Sequence, residues 1–161
     1  MDKFRKIFKQ IRLTKWFYRA IFALRVMFIL SFLFDVLYDI AFILLVFLFF
    51  TTAIDIYILF RNAEPISSHR SSKFQRLSNG DVNDLLLQVQ NYYPFRIKIS
   101  IIDELPVQFQ VRDFEIESSL QTVESKTFAY QLRPVERGEY HFGLINLFVC
   151  SPISLIERHI K

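Results

Sequence analysis

The stretch that decides the fold is residues 40–60, IAFILLVFLFFTTAIDIYILF, in which Asp55 is the only charged residue. A helix needs about 20 consecutive apolar residues to cross the hydrocarbon core of a bilayer. A second apolar run, residues 16–34, is interrupted among charged residues only by Arg19 and Arg25. The pattern predicts an α-helical transmembrane hairpin with spans at 16–34 and 40–60.

The composition leaves room for one further domain. The chain has 161 residues, of which 52% are hydrophobic and 17% aromatic, well above the usual share in a soluble domain of this size. Cys150 is the only cysteine, so no disulfide forms within the chain, and a cage of cysteines around a metal is excluded. We expect one small domain beside the anchor, in a reducing compartment.

Basic residues flank the apolar runs on one side. They are Lys3, Arg5, Lys6, Lys9, Arg12 and Lys15 before the first run, and Arg61, Arg70, Lys73 and Arg76 after the second. The short loop between the runs holds Asp35 and Asp39 but no Lys or Arg. Because Lys and Arg concentrate in cytoplasmic loops, the pattern predicts that both termini are cytoplasmic and that the hairpin tip faces outward.

Residues 1–15 form a basic leader. Apolar residues recur in it at helical spacing: Phe4, Ile7, Phe8 and Ile11. This spacing among basic residues predicts an amphipathic helix on an anionic lipid surface. A disordered basic leader is the alternative.

Two of the ionisable residues in the apolar runs are predicted to pair. Arg25 lies about 13 Å inside the first span and Asp55 about 8 Å inside the second, at 1.5 Å per residue. A charge left alone at membrane depth costs several kcal/mol on most estimates. An intramembrane ion pair between Arg25 and Asp55 is therefore one hypothesis, and separate snorkelling of the two side chains is the other.

Beyond the second span the pattern changes from linker to strand. Residues 61–76 are rich in Ser, Pro, His and Arg and are interpreted as a linker, and residues 77–161 as a β domain. Apolar residues alternate with polar ones around residues 85–90, 95–102, 107–112 and 127–132. Alternation of this kind predicts half-buried antiparallel strands, and their spacing predicts an immunoglobulin-like sandwich.

The side chains that carry chemistry are scattered. The three glycines form no phosphate-binding loop, and the three histidines have no metal-ligand spacing. Asp103 and Glu104 are neighbours in a predicted strand, so their side chains point to opposite faces. Acidic and basic residues are mixed in the β domain, which does not favour nucleic acid. We expect no catalytic, cofactor or metal site, and a protein that is not an enzyme.

Four segments follow the hairpin in a recognisable order. They are RLSNGDVN at 76–83, DELPVQF at 103–109, RPVERGEYHFG at 133–143 and SPISL at 151–155. In type and order they resemble the N-terminal part of the bacterial membrane proteins grouped as "domain of unknown function 58". The segment at 133–143 is the most specific of the four.

The resemblance implies a place in the bacterial cytoplasmic membrane and a partnership with MoxR-class AAA ATPases and other membrane proteins. In that family the β domain leads into a von Willebrand factor A-like domain, whose Asp-x-Ser-x-Ser motif this chain lacks. The chain is therefore expected to be a truncated member, a partial gene or a natural short form.

The leading hypothesis is a non-enzymatic, membrane-anchored interaction module that acts with an AAA ATPase at the cytoplasmic face. Arg137, Gly138 and Tyr140 are its candidate interaction loop, and a structural hairpin turn is the other interpretation of these residues. The rival functional hypothesis is a non-functional remnant of a longer gene. A small membrane enzyme is a third, which no pairing of catalytic groups supports.

Overall fold

The computed structural model describes residues 7, 10–62, 65–72, 78–111 and 114–160. Its contacts divide the chain into two compact units. The helical unit comprises Met1–Arg61 and Cys150–His159, and the β unit comprises Asn62–Val149 and Ile160–Lys161. Residues 150–159 thus belong to the helical unit. The predicted boundary at residue 76 placed them in the β domain.

The helical unit contains helices α1, Lys15–Leu30, and α2, Val36–Phe60. Among the described residues, α2 is the one helix long and apolar enough to cross a membrane. Helix α1 has 16 residues and a length of about 24 Å, short of the roughly 30 Å of a bilayer core. The predicted span at 16–34 is too long because the backbone leaves the α-helix after Leu30 and forms tighter turns, in which the Phe32 amide donates to the Ile29 carbonyl at 3.3 Å and the Leu33 amide to the Leu30 carbonyl at 2.9 Å.

The end of the basic leader is a strand. Strand β1, Ile11–Leu13, pairs antiparallel with β8, Ile156–Ile160, with Ile11 opposite Arg158. The predicted leader helix is therefore wrong over 11–13, because pairing with a strand far along the chain overrides the local helical spacing. Residues 1–6, 8 and 9, which carried most of that prediction, lie outside the described residues.

The β unit contains two groups of strands. Strands β2, Ile66–Ser72, β3, Asn83–Asn91, and β6, Ser125–Leu132, form an antiparallel sheet in the order β2-β3-β6. Strand β4, Ile97–Asp103, pairs antiparallel with β5, Glu115–Leu120, and lies beside β7, Ile145–Cys150. The prediction of an antiparallel β region after the apolar helix is confirmed.

Alternation along these strands sets the core. The buried apolar residues of β3 and β4 fall at every second position: Leu85, Leu87, Val89, Ile97, Ile99 and Ile101. This is the pattern of strands with one face against a core. The alternation in the sequence therefore located β3, β4 and β6 correctly.

Two predictions about the β region are wrong. The predicted linker at 61–76 contains β2, whose Ser-rich sequence pairs with β3 along its length, from Ile66 opposite Asn91 onward. The predicted strand around 107–112 begins instead as a short 3-10 turn, Val107–Phe109. Gln110 ends this turn in the left-handed conformation with φ of 54°, which breaks an extended strand.

Candidate functional site

Residues 78–83 of the β unit form a turn that is closed by the side chain of one asparagine. The Asn83 side chain accepts a hydrogen bond from the Ser78 amide at 2.8 Å and donates to the carbonyls of Ser78 and Asp81 at 3.0 and 2.9 Å. Gly80 within the turn has φ of +84°, a conformation that favours glycine. The shape of this turn therefore depends on Gly80 and on the Asn83 side chain.

The same turn holds the start of the segment at 133–143. The Gly80 amide donates to the Pro134 carbonyl at 2.8 Å, and the Arg133 Nε donates to the Gly80 carbonyl at 2.7 Å. Two segments that are about fifty residues apart in sequence are thus joined by a reciprocal pair of hydrogen bonds.

Glu104 anchors the end of the segment at 133–143. Its carboxylate accepts from the Leu144 amide at 3.1 Å and from the Asn146 side chain at 2.7 Å. Its carbonyl accepts from the Gly143 amide at 2.8 Å. A Cβ at position 143 would lie 2.6 Å from the Glu104 Cβ, so only glycine fits there. Gly138, by contrast, has nothing within 4 Å of such an atom.

Asp103 is a buried acidic group of the β unit. Its side chain is fully buried and accepts from the Arg70 Nε at 3.0 Å and from the Arg70 Nη2. The Tyr130 hydroxyl donates to it at 2.5 Å. Because Arg70 belongs to β2, Tyr130 to β6 and Asp103 to β4, this network joins the two groups of strands.

The network shifts the acidity of its tyrosine. Burial and the hydrogen bond to Asp103 both raise the pKa of Tyr130 above its ordinary value, burial more strongly. The phenol stays a neutral donor, which suits a buried carboxylate that already has a guanidinium as counter-ion.

An aromatic cluster lies on the segment at 133–143. Phe109 stacks on Tyr140 with ring centroids 4.8 Å apart and lies 6.3 Å from Phe142. The Arg70 guanidinium lies 4.8 Å above the Phe142 ring. We call Phe109, Tyr140 and Phe142 the aromatic cluster. It is tied to the buried network through Arg70.

Exposed apolar residues lie on the same segments as the cluster. Val107 is 90% exposed and Val135 70%, and Val111 and Leu144 are also exposed. They leave apolar side chains in water on two segments that the contact between Phe109 and Tyr140 joins. We call these four valine and leucine residues the apolar rim.

The predicted interaction loop has two parts in the structure. Arg137 and Gly138 are exposed, whereas Tyr140 is half-buried in the aromatic cluster, with its hydroxyl 2.7 Å from the Glu136 carbonyl. The stretch between β6 and β7 contains no strand at these residues, so they do not form the predicted hairpin turn. Sequence reasoning missed Phe109, because its alternation with Val107 and Val111 resembled that of a strand.

The helical unit has its own buried acid. Asp55 is completely buried in α2 and accepts from the Ser151 hydroxyl and from the amides of Leu155 and Ile156, at 3.0 and 3.1 Å. Thr14, which caps α1, donates to the Ser154 carbonyl at 2.7 Å. The segment at 151–155 is therefore bound to both helices.

The structure does not bring together the two residues predicted to form an intramembrane pair. Arg25 is exposed on α1, and Asp55 has a hydroxyl and backbone amides as its hydrogen-bond donors. Neither the ion pair of Arg70 with Asp103 nor that of His141 with Glu139 includes Arg25. Asp55 therefore contacts the segment at 151–156 and not Arg25. The spacing of charges along the helices does not reveal these contacts, because their partners lie far along the chain.

An apolar groove of about 520 Å³ lies between the helices and the segment at 151–155. Its lining includes Ala20, Leu24, Met27, Phe47 and Leu155. In the part of the chain that the structure describes, no group of three or more His, Cys, Asp or Glu residues is arranged to hold a metal ion.

Comparison of the chain with models of known protein families and with curated proteins found no match. The site is therefore interpreted from its own geometry.

Proposed function

We propose that the protein is a non-enzymatic interaction module that α2 anchors in a membrane. The exposed side chains of α2 support this proposal. They include the large apolar residues Phe42, Phe47, Phe50 and Tyr57. Burying apolar surface is worth about 25 cal/mol per Å². A helix with these side chains in water would lose that stabilisation, whereas surrounding lipid removes the side chains from water and provides it.

The proposal includes α1 as a shorter second span beside α2. The contact between the Phe28 and Tyr38 rings, 5.9 Å apart, supports packing of the two helices near their connection. The basic leader and the acidic connection support cytoplasmic termini. The membrane is then the bacterial cytoplasmic membrane that the family resemblance implies.

The β unit is proposed to be an immunoglobulin-like sandwich that presents the binding surface. The Arg70, Asp103 and Tyr130 network supports the sandwich because it links strands of both groups. The half-buried aromatic cluster and the apolar rim form the surface, and the exposure of the apolar rim is the single observation that carries the function. A MoxR-class AAA ATPase is the partner that the resemblance implies.

The anchoring is tested with reporter fusions and extraction of membranes with alkaline carbonate. We expect the full chain to stay in the membrane fraction, a reporter at residue 37 to appear outside and a reporter at residue 161 to appear inside. Release of the chain by carbonate contradicts the anchor. An outward C-terminus contradicts the orientation alone.

The binding surface is tested by site-specific photocrosslinking in cells that also express a MoxR-class ATPase of the same bacterium. A photoreactive residue at Val107 should crosslink to the ATPase because Val107 is the most exposed residue of the apolar rim. A probe at Lys98, exposed on β4, is the matched control. Equal labelling from both positions, or no ATPase adduct from Val107, contradicts this partner surface.

A further inference from the structure

Arg25 and Asp39 carry opposite charges on the two helices. Arg25 of α1 and Asp39 of α2 are both exposed, and within the described residues neither takes part in a hydrogen bond or an ion pair. If both helices lie in a bilayer, as the proposed function holds, the Arg25 charge within the span carries a cost of several kcal/mol on most estimates. Asp39 lies in the first turn of α2, where the N-terminal end of a helix favours a carboxylate. Arg25 therefore requires an opposite charge or a route to the interface, and Asp39 is a candidate for that opposite charge.

The two charges lie at nearly the same depth. Arg25 is five residues before the end of α1 and Asp39 is three residues after the start of α2, or about 7.5 and 4.5 Å from the connection. The ring contact between Phe28 and Tyr38 places the two helices level at that point. A depth difference of about 3 Å is within the reach of an arginine side chain.

The packing of the helices keeps the two charges out of the buried helix faces. Asp39 is two residues from Ala41, which is completely buried, and so lies about 200° around α2 from it. Arg25 follows Leu24, the buried residue of α1, at about 100° around the helix. Both side chains are therefore on outward faces of the helices, where lipid or another protein can contact them.

We propose that the chain associates with a second copy of itself, with Arg25 of one copy paired to Asp39 of the other. This inference rests on the proposed membrane anchoring. Charge complementarity identifies the occupant, because one chain carries both signs at matching depth and two copies therefore satisfy each other. Polar pairs between helices in membranes stabilise association and select the partner.

The association is tested by disulfide crosslinking of full-length chains in membranes, with Cys150 replaced by Ser. One tagged chain carries Phe22→Cys on α1 and a second, differently tagged chain carries Ile43→Cys on α2. Phe22 and Ile43 are exposed and lie about 12 and 10.5 Å from the connection. We expect a disulfide between the two tags. Phe50→Cys, exposed but about 21 Å from the connection, is the matched control and should not react with Phe22→Cys.

The charges are then reversed in separate chains. Arg25→Glu in the chain that carries Phe22→Cys, or Asp39→Arg in the chain that carries Ile43→Cys, should each reduce the crosslinked fraction several-fold. Combining the two altered chains should restore it, because residues 25 and 39 again carry opposite charges across the contact. A pair formed within one chain is not restored in this way.

The outcomes separate the two proposals. Chains that carbonate releases from the membrane overturn the anchoring itself. Chains that stay in the membrane without the crosslink, or with a crosslink unaffected by the charge reversals, overturn only the association, as they would if Arg25 reaches lipid phosphates. Restoration by the two reversed chains together supports it.

Discussion

Asp55 and Asp103 are two buried carboxylates, one in each unit, and they are satisfied in different ways. Asp103 has a guanidinium and a phenol as partners, contributed by two other strands. Asp55 has a serine hydroxyl and two backbone amides, contributed by a segment about a hundred residues further along. A buried charge thus needs donors, which an opposite charge or oriented dipoles can supply.

The difference separates two structural tasks. The Asp103 network joins side chains from three strands, so it ties the β unit together. The Asp55 contacts instead fix the backbone of the 151–156 segment against α2. We therefore expect substitutions at Asp103 to change the stability of the strands and substitutions at Asp55 to release that segment.

The largest effect is expected at Asp103. Asp103→Ala leaves the Arg70 guanidinium and the Tyr130 hydroxyl without their acceptor, and removing one member of a buried ion pair costs about 3–5 kcal/mol. The free energy of opening, measured by hydrogen exchange of β3 and β4 amides in the full chain in detergent, should fall by that amount. Asp84→Ala, at an exposed site bonded to Gln131, is the control and should change it by less than about 0.5 kcal/mol. An equal effect at the two sites would show that the network does not stabilise the strands.

The next effect is expected at Asp55. Asp55→Ala leaves the amides of Leu155 and Ile156 without an acceptor, at a cost of about 3 kcal/mol, the upper end for an unsatisfied buried group. Asp55→Asn keeps one oxygen to accept these bonds and should retain most of the protection. The measurement is hydrogen exchange of residues 151–156. A loss as large in Asp55→Asn as in Asp55→Ala would show that the negative charge itself is required.

A smaller and pH-dependent effect is expected at Tyr130. Tyr130→Phe removes one hydrogen bond to Asp103 and should cost about 1–2 kcal/mol at neutral pH. The folded state raises the pKa of Tyr130 above the usual value of about 10. The stability that the neutral Tyr130 hydroxyl contributes is therefore fully present below a pH of about 10 and is lost as the pH rises above it. The alkaline loss of stability should therefore be smaller in Tyr130→Phe than in the unaltered chain. Tyr92→Phe, at an exposed position, should keep the full alkaline loss, and identical curves for the two variants would contradict the assignment.

The smallest effect is the coupling between Arg25 and Asp55. Because the two residues have separate surroundings, the effects of Arg25→Ala and Asp55→Ala on exchange of residues 151–156 should add, with a coupling energy near zero. A double-mutant cycle measures this. A coupling of about 1 kcal/mol, the size found for polar pairs between membrane helices, would restore the ion pair predicted from the sequence.

Local periodicity explains which elements could be predicted from the sequence. Strands β3, β4 and β6 have alternating apolar residues, and α2 is a long, predominantly apolar run, so each is recognisable from its own residues. Strand β2 was missed because a Ser-rich edge strand has no apolar alternation to reveal it. The Phe109 turn was misread because one residue, Gln110, adopts a left-handed conformation within an alternating pattern.

The sequence by itself determined the apolar helix α2 and the antiparallel character of the β region, since each depends on neighbouring residues. Only the tertiary structure decided the partners of Asp55 and Asp103, the pairing of β1 with β8 and the need for glycine at position 143. These depend on contacts between residues from about 30 to more than 140 positions apart. The physical reason is that a buried polar group takes whichever donor the fold brings within about 3 Å, and position along the chain does not predict that distance.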